Sequence, residues 1–149
     1  MNYNVLGTKS VMDLCCELDH LDAFVHVSTA YAYCSRSDTD EVIYPMKTTP
    51  EQMLEAASWM DADTIANLKH SLFEDRPNTY TFTKALAEHY VKNKKGDLPV
   101  AIARPSIVTA TWKEPVAGWV DSINGPGGAS LLGSLGIART MVFKPKNKG

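Results

Sequence analysis

The chain has 149 residues, of which 44% are hydrophobic and 21% charged, a composition typical of one globular domain that excludes overall disorder. The formal net charge of −2 excludes the basic footprint of a nucleic-acid-binding protein, so no nucleic-acid partner is expected. The three cysteines lack CxxC spacing and the four histidines are scattered, so we expect neither a disulfide framework nor a metal site. The cysteine pattern also favours a reducing, intracellular compartment.

The first predicted elements are a helix and a strand. Apolar residues recur at three- and four-residue intervals from Val5 to Leu18, which predicts an amphipathic helix. After a polar turn, the β-rich apolar run from Ala23 to Val27 predicts a short buried strand. This strand ends at the hydroxyl pair Ser28 and Thr29.

The middle of the chain is polar and rich in turn-forming residues. From Cys34 to Pro50 only the run Glu41–Ile43 is a candidate for a short strand. Helical patterns follow at Glu51–Ala57 and at Asp61–Leu72, and Asp61 is a candidate N-cap.

A further helix carries Tyr80 and is predicted to end near Lys94, where a basic last turn is followed by Gly96. The run Pro99–Ala103 then predicts a second buried strand. Buried strands separated by helices favour a parallel sheet, because parallel neighbours need crossover connections. The predicted fold class is therefore α/β.

After the dipeptide Arg104-Pro105 the sequence no longer shows a clear helix or strand pattern. The sequence TWKEPVAGWVDSINGPGG predicts a binding loop, in which Trp112 and Trp119 either contact a ligand or belong to the core. The run Gly125–Gly128 is interpreted as a flexible turn, because it lacks the preceding strand and the spacing of a phosphate loop. A last helix is predicted over Ser130–Val142.

One spacing suggests chemistry. Tyr80 and Lys84 lie four residues apart, so a helix places them on one face, where the ammonium favours the ionised form of the phenol. Such a pair suits an acid that gives up a proton near neutral pH, although the spacing alone often arises by chance. The strand ends at Thr29 and Pro105 supply context, because ligands of parallel α/β sheets bind outside the carboxyl ends of strands. A cap at Thr29 and a plain strand end at Pro105 are the alternatives.

Several stretches in this order resemble one known family: NVLGTKSVMDLC, FVHVSTAYAYC, EVIYP, NTYTFTKALAEHYV, PVAIARPSIV and EPVAGWVDSINGPGG. They resemble the extended short-chain dehydrogenase/reductase superfamily and, within it, the alcohol-forming fatty acyl-CoA reductases, over nearly the whole chain. The resemblance implies a doubly wound parallel sheet of the Rossmann type. It also implies NADPH as cofactor, a long-chain acyl-CoA as substrate and a primary fatty alcohol as product.

The resemblance also implies roles for single residues. Tyr80 matches the proton donor, and Lys84 the residue that holds the nicotinamide ribose and acidifies the phenol. Thr29 matches the hydroxyl that hydrogen-bonds the substrate carbonyl, with Ser28 as the alternative. Pro105, Ser106 and Ile107 match a turn that lies beside the nicotinamide. Asn4 matches a motif asparagine near the site, and a purely structural role for it is the alternative.

This sequence lacks some features of the family it resembles. No glycine-rich turn precedes Asn4, so we expect an incomplete sheet that lacks the first strands and this turn, in a chain that is inactive alone. Residues 1–149 are then the central part of an NAD(P)-binding reductase domain, without its C-terminal domain. No apolar run approaches the roughly 18–20 residues of a spanning helix. The resemblance places the parent enzyme at the peroxisomal or endoplasmic-reticulum membrane, associated through regions absent from this chain.

Two alternatives remain open at this point. The first is another extended reductase that acts on a nucleotide sugar or a steroid, against which the apolar and aromatic TWKEPVAGW segment weighs. The second is a non-enzymatic remnant that keeps the motifs without a complete cofactor site.

Overall fold

The computed structural model describes residues 2–73, 75–122 and 125–140. The chain divides into two compact units, Met1–Ser106 and Ile107–Gly149, and each is described by itself. The elements of the first unit, in chain order, are a π-helical turn Asn2–Leu6, α1 Gly7–Cys16, β1 Phe24–Val27, a 3₁₀ turn Ala30–Tyr33, α2 Pro50–Trp59, α3 Ala62–Asn67, α4 Lys69–Leu72, α5 Thr79–Lys94 and β2 Val100–Ala103. The second unit contains α6, Gly125–Ser134.

The two strands form a parallel pair, in which Phe24 lies opposite Val100 and Val27 opposite Ala103. The pairing continues beyond the strands, because the Ser28 amide donates to the Ala103 carbonyl at 2.7 Å. The predicted parallel α/β arrangement is confirmed for these two strands. One face of the pair packs on α1 and α5, through a cluster of Phe24, Val100, Ile102, Met12, Tyr90 and Val91.

Helix α5 is the centre of the first unit. Phe82 and Leu86 join one apolar cluster, Ala85 a second, and Tyr90 and Val91 a third. Nine of the sixteen residues of α5 are buried, including the polar residues Thr81, Thr83 and Glu88. Each buried Phe or Leu side chain contributes roughly 1.5–3 kcal/mol relative to its exposed state. The helix that carries the candidate site is thus held rigidly.

The starts of the helices follow from capping residues. Thr49 and Gln52 form a capping box at α2, and Pro50 occupies the first turn, where its missing N–H needs no partner. Asp61 caps α3 as predicted, because its Oδ1 accepts a hydrogen bond from the Thr64 amide at 2.8 Å. At α5 the side chain of Asn78 accepts from the Thr81 amide.

Two predictions in the first unit are wrong. Glu41–Ile43 is not a strand, because the carbonyl oxygens of Asp40 and Val42 accept hydrogen bonds from Arg104 instead of from a neighbouring strand. The single helix predicted over Asp61–Leu72 is divided into α3 and α4 at Leu68, where the Ser71 amide closes a three-residue turn onto the Leu68 carbonyl.

The prediction for the last helix is also wrong. The GPGG run is not a flexible turn but the first turn of α6, where Pro126 fits because the first amides of a helix have no intrahelical partner. The helix ends at Ser134, and Gly136 follows with a φ of 69°, a left-handed conformation that glycine adopts readily. The end of the predicted helix, residues 141–142, lies outside the described residues.

Candidate active site

Tyr80 lies in the first turn of α5, and its side chain is 48% exposed. The cap at Asn78 fixes the start of the helix, so the backbone at Tyr80 is well defined. The phenol is therefore held on a rigid element and is accessible to a ligand.

Lys84 follows one turn later and reaches the end of β1. Its Nζ donates to the main-chain carbonyl of Val27 at 2.9 Å. An ammonium has three N–H donors, so among the described residues this bond leaves two of them for the hydroxyls of a bound ligand. The predicted acidification of Tyr80 by this ammonium stays a prediction.

Thr29 and Ser28 are both buried directly after β1. Thr29 Oγ1 accepts from the Tyr31 amide at 3.2 Å and caps the 3₁₀ turn, as the alternative interpretation expected. A hydroxyl that accepts still has its own proton to donate, so the cap leaves the predicted role open. Ser28 Oγ has no hydrogen-bond partner among the residues that the structure describes.

The turn after β2 lies beside the turn after β1. The Ala30 amide donates to the Pro105 carbonyl at 2.9 Å, which places Pro105 next to the Thr29 segment, as predicted from the strand ends. Ser106 is exposed and ends the first unit. Ile107 is also exposed, but it opens the second unit.

Asn4 contacts α5 and does not belong to the turns that follow the strands. Its Nδ2 donates to Thr83 Oγ1 at 2.9 Å, and its carbonyl accepts from Thr8 Oγ1 at 2.7 Å. Thr83 immediately precedes Lys84. In the described structure Asn4 therefore steadies the helix turn between Tyr80 and Lys84, which matches the structural alternative.

Sequence reasoning missed three polar side chains packed around these residues. Glu88 is fully buried and pairs with Arg104, whereas His26 and Tyr33 each bury a polar atom that has no partner among the described residues. One signal was available for Glu88, because it lies four residues after Lys84 and hence on the same helix face. His26 showed no signal beyond a polar residue between two valines.

Burial and charge shift three pKa values near the site. Burial, and secondly the charge of Lys84, lower the pKa of His26. Burial, followed by the nearby negative charge of Glu88, raises the pKa of Tyr33 well above that of a free tyrosine. The hydrogen bond to Glu88 raises the pKa of Arg104. His26 and Tyr33 therefore favour neutral forms, and Arg104 stays charged.

Within the described ranges, no three His, Cys, Asp or Glu side chains converge in a way that holds a metal ion. Over the same part of the chain, no helix has both the length and the apolar character needed to cross a membrane.

Comparison with known proteins identifies the family of this chain. Residues 1–148 match the NAD-binding family described as male sterility protein. The chain belongs to this family. Membership confirms a domain of the Rossmann-like, NAD-binding class and the predicted class of cofactor, a nicotinamide nucleotide.

Several curated relatives resemble the chain closely. Fatty acyl-CoA reductase 1 of Gallus gallus is 48% identical over 138 residues, which are 93% of this chain and 27% of the relative. The Homo sapiens protein of the same name is 46% identical over 138 residues, again 93% and 27% of the two chains. Fatty acyl-CoA reductase 2 of Mus musculus is 44% identical over 142 residues, 95% of this chain and 28% of the relative. The predicted resemblance is confirmed, and the chain spans little more than a quarter of the length of these relatives.

Proposed function

We propose that the protein made from the complete coding sequence is an NADPH-dependent, alcohol-forming fatty acyl-CoA reductase. The observation that carries the proposal is the 48% identity, over 93% of the chain, to a protein named fatty acyl-CoA reductase. The placement of Tyr80 and Lys84 one turn apart on α5, with Lys84 bonded to the end of β1, supports a reducing site at this position.

The residues fit a nicotinamide nucleotide by their donor set. Within the described residues, the bond to Val27 uses one N–H donor of Lys84, and the other two would bond the ribose hydroxyls. The turn of Pro105, Ser106 and Ile107 would flank the nicotinamide ring. When bound, the reduced cofactor supplies hydride, and the protein supplies orientation and electrostatics.

The proposed reaction has two reductions. The thioester carbonyl carbon first takes up one hydride, its C–S bond breaks and coenzyme A leaves as the thiolate, which gives an aldehyde. The aldehyde then takes up a second hydride and a proton to give the primary alcohol. In the first step, hydrogen bonds from Tyr80 and Thr29 polarise the thioester carbonyl and stabilise the negative charge that builds on oxygen. In the second step, Tyr80 donates its proton to the alkoxide, and Lys84 stabilises the phenolate that remains. Ser28 is the alternative donor, and Asn4 steadies the helix.

The proposal also concerns regions outside residues 1–149, because the relatives are much longer than this chain. We propose that residues 1–149 form the central part of the reductase domain, and that the pyrophosphate-binding turn, the 2′-phosphate contact and the C-terminal domain lie in the rest of such a protein. The match covers only 27% of the relative from Gallus gallus, which leaves room for these parts. Membrane association, at the peroxisome or the endoplasmic reticulum, would also come from those parts.

The test is product analysis with the purified protein from the complete coding sequence. Palmitoyl-CoA with NADPH should give hexadecanol and free coenzyme A, and NADH should replace NADPH poorly. Turnover of nucleotide sugars or steroids without alcohol formation from acyl-CoA would identify a different extended reductase. Absence of turnover, together with absence of NADPH binding, would identify a non-enzymatic protein.

A further inference from the structure

A buried ion pair joins α5 to the end of β2. Arg104 donates to Glu88 through Nε to Oε1 at 2.9 Å and through Nη2 to Oε2 at 2.7 Å. The Glu88 side chain is wholly buried, and that of Arg104 is only 16% exposed. A buried ion pair is often no more stabilising than an apolar pair of similar volume, because both charges lose their hydration. Stability alone therefore explains this pair poorly.

The pair completes a row of side chains along one face of α5. Tyr80, Lys84 and Glu88 are spaced by four residues, so they share this face. Lys84 bonds the last residue of β1, and Glu88 bonds the residue that follows β2. Two polar contacts one turn apart add to the core packing of α5 in fixing its rotation and its axial position. The position of Tyr80, one turn earlier, is fixed with them.

Arg104 also holds a segment of loop. Its Nη1 donates to the Asp40 carbonyl at 3.1 Å, and its Nη2 to the Val42 carbonyl at 2.8 Å. These residues belong to a long connection, from residue 34 to residue 49, without helix or strand. Ordered connections of more than about 12–15 residues are uncommon outside functional loops.

The segment that Arg104 holds forms one wall of a cleft. The cleft has a volume of about 600 Å³ and is lined by Thr39, Asp40, Glu41, Val42, Ile43, Ala30, Ile102 and Arg104. Ala30, one of the lining residues, directly follows Thr29 in the chain. Arg104 bonds the main-chain carbonyls of two residues in this wall.

Arg104 has little capacity to bind a substrate anion itself. Four of its five N–H groups are used by Glu88, Asp40 and Val42, and its guanidinium lies over the Tyr33 ring with Cζ 4.8 Å from the centroid. Its charge is neutralised by Glu88. These contacts favour a role in holding other groups over a role in contacting the substrate.

We propose that Glu88 and Arg104 are positioning residues, which together set α5 and the Asp40–Val42 cleft wall relative to Thr29. The inference rests on the proposed function, because acyl-CoA reduction is one of its two readouts. The proposal assigns different roles to the two residues: Glu88 acts mainly on the placement of Tyr80 and Lys84. Arg104 acts in addition on the adjoining cleft, which the proposal takes as part of the acyl-substrate site.

The test compares three variants of the protein made from the complete coding sequence. Arg104→Lys keeps a charge beside Glu88, but an ammonium lacks the planar fork that reaches both the carboxylate and the two carbonyls. Its KM for palmitoyl-CoA should rise about tenfold or more, the effect of losing a charge-assisted hydrogen bond, with little change in kcat or in the KM for NADPH. Glu88→Gln should chiefly lower kcat. Lys94→Met, which removes the exposed 3.7 Å ion pair of α5 with Glu51, is the matched control and should change none of these values.

Hydrogen exchange measured by mass spectrometry gives a second readout that needs no turnover. Arg104→Lys should accelerate exchange in peptides that cover residues 35–46 and leave those of α5 unchanged, whereas Lys94→Met should accelerate neither. If a single variant unfolds, the charge-neutral pair Glu88→Gln with Arg104→Met tests the same loss of the carbonyl contacts.

The outcomes are distinct. Unchanged exchange over residues 35–46, or uniform acceleration across the protein with all kinetic constants falling together, overturns the positioning role. If the unaltered protein does not reduce palmitoyl-CoA, the proposed function fails, and the exchange pattern still decides whether Arg104 holds the cleft wall.

Discussion

The ammonium of Lys84 donates a hydrogen bond to the carbonyl oxygen of Val27 at 2.9 Å, which ties the candidate catalytic helix to the end of the first strand. The two residues are 57 positions apart in sequence. This contact directs the ammonium to the edge of the sheet where ligands of parallel α/β proteins bind. It makes Lys84 both an anchor of α5 and a donor that faces the ligand.

Replacing Lys84 should therefore affect cofactor binding and turnover together. Lys84→Met removes the bond to Val27, the two remaining donors and the positive charge. We expect the KM for NADPH to rise and kcat to fall, each by about ten- to a hundredfold, as for lost hydrogen bonds to a charged group. Steady-state kinetics with NADPH varied at saturating acyl-CoA measures both. A lower melting temperature with intact kinetics would reduce Lys84 to a structural residue.

Replacing Tyr80 should separate chemistry from binding. Tyr80→Phe keeps the aromatic ring and removes only the hydroxyl, so NADPH affinity should stay within a few-fold while alcohol formation is lost. A positioned general acid contributes about 10²–10⁴ in rate. Tyr3→Phe makes the same chemical change at an exposed tyrosine and should leave the rate unaltered. More than about a tenth of the activity in Tyr80→Phe would contradict the proton-donor role.

Local patterns predicted most of the helices and strands. Apolar periodicity found α1, short β-rich apolar runs found both strands, and a basic last turn followed by glycine found the end of α5. Capping chemistry found the Asp61 cap, because all these features depend on residues within one or two turns. The four-residue spacing of Tyr80 and Lys84 likewise placed both on α5.

Contacts between distant residues were beyond such reasoning. Glu41–Ile43 has the residues of a strand, yet its conformation is set by Arg104, which bonds the Asp40 and Val42 carbonyls across 64 and 62 residues of sequence. The Glu88–Arg104 pair is similar, because the spacing from Lys84 indicates the face of Glu88 but not its partner. The residues that hold the candidate site in place, Glu88 and Arg104, could therefore be identified only from the structure. Its central residues, Tyr80 and Lys84, could be identified from the sequence.

Of the two hydroxyl residues after β1, Thr29 should be essential for alcohol formation and Ser28 should be dispensable. Thr29→Val removes the proposed donor and the cap of the 3₁₀ turn, whereas Thr29→Ser keeps both. We expect Thr29→Val to lower kcat by about 10²–10³, the usual effect of losing one donor to a developing oxyanion. Thr29→Ser should retain most of the activity.

Ser28→Ala is the companion variant, since it removes a buried hydroxyl that has no partner among the described residues. It should leave kcat close to that of the unaltered protein, because no protein hydrogen bond among the described residues is lost. A large loss in Ser28→Ala with a small one in Thr29→Val, both measured as alcohol formed, would reverse the assignment.

His26 should make the fold sensitive to mild acid. Its ring is buried on the face of β1 that packs on the helices, and burial, followed by the charge of Lys84, lowers its pKa from 6.5, while Glu88 opposes the shift. As the pH falls through 6.5, the unfolded chain binds a proton at this histidine before the folded protein does. The free energy of unfolding should therefore decrease with falling pH, until the pH is below the lowered pKa of the folded state.

Urea unfolding at pH values above, at and below 6.5 measures this dependence. His26→Phe and His26→Leu remove the titrating group, so each should show a smaller loss of stability across this range than the unaltered protein, whatever its stability at neutral pH. The comparison uses the slope with pH, so a packing defect in either variant does not affect it. Equal slopes in all three proteins would show that His26 binds its proton equally well in the folded and unfolded states.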